Sequence, residues 1–224
     1  MDYLITGASG FIGRRLVGRL LALGHEVNYL GRKRSGTLDS RAAFHLWNPD
    51  EPPPLNSISR LDAIIHLAGE PVAQRWNDEV KQRIYSSRTE GTRKLVSAIS
   101  ELKHKPSVLV SASAVGYYGN RGDEILTEES TAGDDFLAKV CIDWEREASR
   151  AREFGLRVVI IRVSLALGRE GGALKSMLSN RSSKPPCPGI RLPASFARAP
   201  RLSIDSHRSP VIPSAPITRA NGTA

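Results

Sequence analysis

Apolar residues follow two rhythms over roughly the first three quarters of the chain, short mostly apolar runs and longer stretches with helical spacing. The runs Tyr3 to Ile5, Glu26 to Leu30, Phe44 to Trp47, Asp62 to Leu67, Val108 to Val110 and Arg157 to Val163 read as strands. Several are continuous enough to be covered on both faces. Phe11, Ile12, Leu16, Val17, Leu20, Leu21 and Leu23 recur at helical spacing, and Gly24 closes that helix. A longer helix over 77–102 carries Val80, Ile84, Gly91, Leu95, Ile99 and Leu102 on one face. A third has the stripe Phe136, Val140, Trp144 and Ala148, with Asp134 and Asp135 as its N-cap and first-turn acid. Strands alternating with helices predict an α/β protein with a doubly wound parallel sheet.

The first strand breaks into Gly7, Gly10 and Gly13, spaced G-x-x-G-x-x-G, just as the first helix opens at Phe11. Gly7 allows the tight turn, Gly10 lets backbone approach a pyrophosphate, and Gly13 lets the helix pack on the sheet. Free amides of the first helical turn then face the anion. A plain strand-to-helix turn would also use glycine, but the flanking strand and helix favour a Rossmann-like dinucleotide site. The second strand ends in Gly31, Arg32, Lys33 and Arg34, with no acid to accept from a ribose 2′-hydroxyl. A basic end suits a 2′-phosphate, so NADP is favoured over NAD; the alternative is a solvated basic loop.

Composition narrows the partners. The chain has 224 residues and a net charge of +9. From Ser179 onward, Arg181, Lys184, Arg191, Arg198, Arg201, Arg208 and Arg219 stand against Asp205 alone, so most of that charge lies there. The body is close to balanced and has no basic face interleaved with aromatics, which argues against nucleic acid. No apolar run is long enough to span a membrane, and the opening stretch does not read as a cleavable signal. Cys141 and Cys187 form neither a disulfide framework nor a metal-ligand spacing, and no metal is expected. A reducing, cytoplasmic setting fits.

Two strand ends carry candidate chemistry. Leu67, Ala68 and Gly69 leave room for a ligand lying over the sheet edge, while His66, inside an apolar run, reads as a satisfied core residue. Past Val110 come Ser111, Ser113, Tyr117 and Tyr118, the hydroxyls that a carbonyl-polarising or proton-transfer site needs, although serine and tyrosine are also common in turns.

With these pieces assembled, the chain resembles an extended short-chain dehydrogenase/reductase of the NAD-dependent epimerase/dehydratase superfamily, in the subgroup labelled "epimerase family protein". The resemblance is carried by TGASGFIG at Thr6–Gly13, HLAGEP at His66–Pro71, RW at Arg75–Trp76, SR at Ser87–Arg88, SASAVGYYG at Ser111–Gly119, TEE at Thr127–Glu129, WE at Trp144–Glu145 and GGALKSML at Gly171–Leu178. It implies a cofactor contacted by Gly7, Gly10, Phe11, Ile12, Gly13, Gly31, Arg32, Leu67 and Ala68, with Arg88 and more weakly Arg83 from the long helix. Lys33 and Gly69 complete that set by position. Both arginines could instead face solvent.

Two departures follow. Short-chain dehydrogenases commonly place Tyr-x-x-x-Lys on the helix starting near Asp135, four residues setting phenol and ammonium on one face, where the lysine lowers the tyrosine's pKa. Here the aligned pair is Phe136 with Val140 or Leu137 with Cys141, neither of which can transfer a proton. Ser113, Tyr117 and Tyr118 remain as catalytic candidates, with Ser113 a candidate hydrogen-bond donor to substrate. The second departure is the tail. Residues 1–178 read as an NAD(P)-binding domain, and 179–224, holding more than half of the 14 prolines, as a disordered Pro/Arg/Ser-rich tail. That tail resembles shifted-frame translation, with the family's C-terminal substrate region missing; a genuine interaction tail is the alternative. The expected function is an NADP-dependent oxidoreductase or sugar-nucleotide epimerase-like protein acting on a small hydroxylated substrate, with a homodimer compatible. The alternatives are a non-catalytic NADP-binding sensor or partner-binding protein, and an inactive truncated product.

Overall fold

A computed structural model describes residues 1–168 and 171–172. Its elements are β1 (Asp2–Thr6), α1 (Phe11–Ala22), β2 (Glu26–Gly31), β3 (Ala43–Leu46), β4 (Ala63–His66), α2 (Asp78–Ser100), β5 (Val108–Ala114), α3 (Phe136–Ser149), β6 (Arg157–Val163) and a short β7–β8 hairpin (Leu167–Gly168, Gly171–Gly172). Single 3-10 turns cover Leu55–Ser57, Val115–Tyr118 and Arg150–Phe154. The six long strands form one sheet in the order β3-β2-β1-β4-β5-β6, parallel throughout. The chain winds outward from β1 on one side and then from β4 on the other, so the crevice at the β1 and β4 carboxyl ends is the topological switch point. The expected doubly wound sheet is present; residues 173–224, with the tail and most of the GGALKSML segment, lie outside the described residues.

Adjacent strand residues feed opposite layers. Leu4, Ile64 and Leu109 bury against Leu95, Val96 and Ile99 of α2, while Ile5, Val27 and Tyr29 bury against Val17, Leu20 and Leu21 of α1. α1 ends in a left-handed Gly24, with the His25 amide donating to the Leu20 carbonyl and the Gly24 amide to Leu21, both at 3.1 Å. α2 is capped by Asn77, whose Oδ1 accepts from the Val80 amide at 2.8 Å, and Asp78 and Glu79 complement its dipole. Asp135 caps α3 through the Ala138 amide at 2.8 Å. The cap falls one residue later than expected, so Asp135 is the N-cap rather than a first-turn acid and Asp134 lies outside the helix.

Further departures concern strand lengths. β3 ends at Leu46, and Trp47 leaves it to bury its ring, donating Nε1–H to the Glu51 carbonyl at 2.9 Å. β5 continues four residues beyond Val110, so Ser111 and Ser113 are strand residues rather than loop residues past a strand end. Their small hydroxyls alternate into the buried face, where β6 extends the ladder beside them.

α3 packs on α2 through Val80, Ile84 and Val140, but also through two buried acids. Asp143 accepts from the Tyr85 hydroxyl at 2.8 Å and pairs with Lys139 at 3.0 Å and Arg146 at 2.8 Å. Glu147 pairs with Arg93 of α2 at 2.9 Å and with Arg150 at 3.1 Å.

Core and cap should separate in urea unfolding. Leu109→Ala, at a fully buried position, is expected to cost about 2–5 kcal/mol. Asn77→Ala removes one capping bond and should cost about 1 kcal/mol. Equal losses would contradict this division of stability.

Candidate functional site

The switch-point crevice is built from backbone with no room for side chains. Gly7 has φ +70°, and a Cβ there would lie 2.7 Å from the Leu67 carbonyl carbon and 2.8 Å from the Ala68 nitrogen. A Cβ on Gly13 would collide with the Gly7 carbonyl oxygen. Gly10 donates its amide to Gly7 at 3.0 Å and opens α1 with no side-chain cap and no acid in the first turn. The amides of Phe11, Ile12 and Gly13 therefore lack both intrahelical acceptors and a competing carboxylate, which makes this a ready anion seat. Ile12 is exposed, while the Phe11 ring carries the Arg15 guanidinium 4.6 Å from its centroid and lies against Gly168 and Gly172 of the hairpin.

Beside this turn, an open cleft of about 410 Å³ is lined by Ser9, Tyr29, Leu30, Gly31, Arg32 and Lys33. Arg32 and Lys33 are exposed and reach it from the end of β2. Ser9 was not singled out in the sequence; its place inside the glycine turn was the available signal.

The crevice wall is fixed by a buried network. Thr6 Oγ1 accepts from the Leu67 and Ala68 amides, both at 3.2 Å, and lies 2.6 Å from His66 Nδ1. With both lone pairs used, the Thr6 hydroxyl donates to Nδ1, so the His66 proton sits on Nε2 and is donated to Thr92 Oγ1 at 2.9 Å. His66 is fully buried, as expected of a core residue, and burial, with the Arg88 charge adding, holds its pKa down at about 4.

Arg88 and Arg83 behave differently. Arg88 is half-buried, donates Nη2–H to the Glu70 carbonyl at 3.0 Å and Nη1–H to Ile84 at 3.1 Å, and lies over the Trp144 ring. A Cβ on Gly69 would stand 3.1 Å from the Arg88 guanidinium carbon, so this arginine props the loop after β4. Arg83 is exposed and pairs with Glu79 at 2.6 Å and Glu70 at 3.7 Å.

At the end of β5 the structure gathers Ser113, Tyr117 and Tyr118 around two residues that sequence reading missed. Ser113 Oγ donates to Glu145 Oε1 at 2.6 Å. Arg162 donates to the same carboxylate from Nε and Nη2, both at 2.9 Å, and from Nη1 to the Tyr118 hydroxyl at 2.9 Å. Its guanidinium lies 3.5 Å from the Tyr117 ring centroid. Arg162 is held well above its usual pKa, chiefly by Glu145. A charged residue inside the apolar run RVVIIRV was the signal that could have found this pair. Of the two alignments left open for the α3 pair, Phe136 and Val140 pack towards α2 and Trp76, whereas Leu137 and Cys141 face β5. A Cβ on Gly116 would lie 3.3 Å from Leu137 Cβ and 3.9 Å from Cys141 Sγ. Burial pushes the Cys141 thiol up.

The NAD dependent epimerase/dehydratase family model matches residues 3–184. The chain belongs to that family. Similar members include the Arabidopsis thaliana epimerase family protein SDR39U1 homolog, chloroplastic, 40% identical over 183 residues, covering 80% of this chain and 52% of that protein. Among solved structures, human epimerase family protein SDR39U1 (isoform 2) with NADPH is 32% identical with TM-score 0.68, over 80% of this chain and 59% of that one. A nucleoside-diphosphate sugar epimerase from Corynebacterium glutamicum is 40% identical with TM-score 0.69, over 82% of this chain and 38% of that one. The chain thus spans about half the length of the Arabidopsis relative. Among the described residues, no helix is long and apolar enough to cross a membrane and no group of side chains could hold a metal.

His66 should make stability depend on pH. Its folded-state value near 4 lies below the ordinary 6.5, so between these the unfolded chain binds more protons. The His66 contribution is complete above pH 6.5 and is lost as pH falls through 4. His66→Gln is expected to flatten the decline in melting temperature over that window, and an unchanged slope would refute the assignment.

Proposed function

We propose that this chain binds NADP(H) across the carboxyl ends of β2, β1, β4 and β5 and belongs with oxidoreductase or sugar-nucleotide epimerase-like proteins of the extended short-chain dehydrogenase type. The observation that carries the reading is the cleft where Arg32 and Lys33 meet the glycine turn, with no acid at the end of β2. A pyrophosphate would sit over the glycine turn on the first-turn amides of α1, where there is no side-chain cap and no competing acid. Arg32 and Lys33 would pair with a 2′-phosphate, and Leu67, Ala68 and Gly69 would lie along the cofactor's inner edge. The cofactor would supply hydride transfer, and the protein its orientation. The NADPH held by the human relative supports the same choice. The substrate would be a small hydroxylated or nucleotide-linked molecule docking near Ser113, Tyr117 and Tyr118. Arg88 acts beneath the loop, and Arg83, engaged by Glu79 and Glu70, is the weaker contact. A cytoplasmic homodimer is part of this reading.

A second reading is favoured by Leu137 and Cys141 on the α3 stripe facing β5, where neither side chain substitutes for Tyr-x-x-x-Lys. In it, the chain is an NADP-responsive binding protein without turnover.

Thermal-shift titration tests the shared part. NADPH at about 100 times its dissociation constant should stabilise the fold by roughly 2.7 kcal/mol. Combining Arg32→Ala with Lys33→Ala should weaken NADPH binding about tenfold or more and leave NADH nearly unchanged. Equal responses to NADPH and NADH in the native chain would remove the 2′-phosphate assignment.

A further inference from the structure

Leu137, Cys141 and Glu145 recur every four residues along α3 and therefore share one side of the helix. The first two face the end of β5, where Leu137 has no proton to move and burial keeps Cys141 a thiol. The third is a carboxylate, and it reaches Ser113. On the sheet, Ser113 and Arg162 are ladder partners, so the hydroxyl and the guanidinium approach Glu145 from neighbouring strands. The ion pair is shielded, its side chains 20% and 14% exposed for Arg162 and Glu145.

The polarity of this arrangement is determined. A carboxylate only accepts, a guanidinium only donates, and a hydroxyl has one proton and two lone pairs. The Ser113 proton is given to Glu145, so the buried Ser113 oxygen, with the Cys141 thiol also beside it, can only accept from a further partner. We propose that Glu145 and Arg162 are positioning residues that fix Ser113 as a hydrogen-bond acceptor, so that the group docking on it is a donor, namely the hydroxyl of a substrate awaiting oxidation. This reverses the donor role expected for Ser113 from the sequence, and it rests on the NADP(H) reading above. In the balanced step, the oxidised nicotinamide of bound NADP would supply the hydride acceptor for the carbinol C–H bond that breaks. The hydroxyl proton passes to Ser113 Oγ as the Ser113 proton passes to Glu145. The substrate would leave as a carbonyl, with the hydride on the cofactor and the proton on Glu145. Tyr118 stays outside this relay because its oxygen is engaged by Arg162, and Tyr117 gives the guanidinium a stacking face.

Ser113→Cys places a titratable reporter at the position with little change in shape. In the full chain carrying Cys141→Ala, thiolate ultraviolet absorbance is followed against pH, with the Cys141→Ala chain subtracted to remove Cys187. The new thiol should titrate above the ordinary value of about 8.5, and adding Glu145→Gln should lower it by about one unit. Burial alone would raise the thiol equally in both variants, so a titration indifferent to Glu145→Gln overturns the proposal. Should that double variant fail to melt cooperatively, Arg162→Gln in the Ser113→Cys background reads the same coupling with opposite sign. It leaves the carboxylate uncompensated and should move the thiol further up; no movement overturns the proposal. NADPH affinity is measured alongside. Absence of NADPH binding in the native chain would remove the cofactor reading, while the titration still decides the polarity of Ser113.

Discussion

Backbone packed on backbone is the constraint on which the crevice depends. The turn after β1, the first turn of α1 and the chain leaving β4 approach so closely that a methyl group on Gly7 or Gly13 would overlap main-chain atoms. Just past β4, the Ala68 amide donates to the Thr6 hydroxyl, and the Leu67 amide is shared between that hydroxyl and the Thr6 carbonyl. Thr6 can accept twice only if its own proton goes elsewhere, which draws His66 and then Thr92 into one chain of donors. The seat for an anion and the buried histidine are therefore two ends of one arrangement.

Much of this was legible beforehand because it is local. Glycine spacing between a strand and a helix and Gly24 at a helix end each act within a few residues, and both are found where the pattern put them. Alternating elements pointed to a doubly wound parallel sheet, and the structure supplies its order, β3-β2-β1-β4-β5-β6. His66 was read as a core residue from its apolar neighbours alone, and it is fully buried.

What the sequence concealed is non-local. Ser113, Glu145 and Arg162 come from a strand, a helix and a second strand, and no spacing along the chain announces that they converge. The end of β5 was misplaced because small hydroxylated residues look like a turn, whereas here β6 pairs with them through Ala114. The α3 pair was ambiguous between two alignments because adjacent residues on a helix differ by about 100° in direction, and packing on α2 chose between them.

That rotational choice ties the α2–α3 contact to the site. Asp143 and Glu147 stand two residues before and two after Glu145, and they are pinned to Tyr85 and Arg93 of α2. α3 cannot roll about its axis without stranding two buried acids, so these pins set the phase at which Glu145 points to β5. Their cationic partners are largely exposed, Arg93 at 53% and Lys139 at 68%, and so answer to dissolved salt. Ionic strength in the surrounding solution thereby gains a mechanical route to the aim of a carboxylate on the far side of the helix.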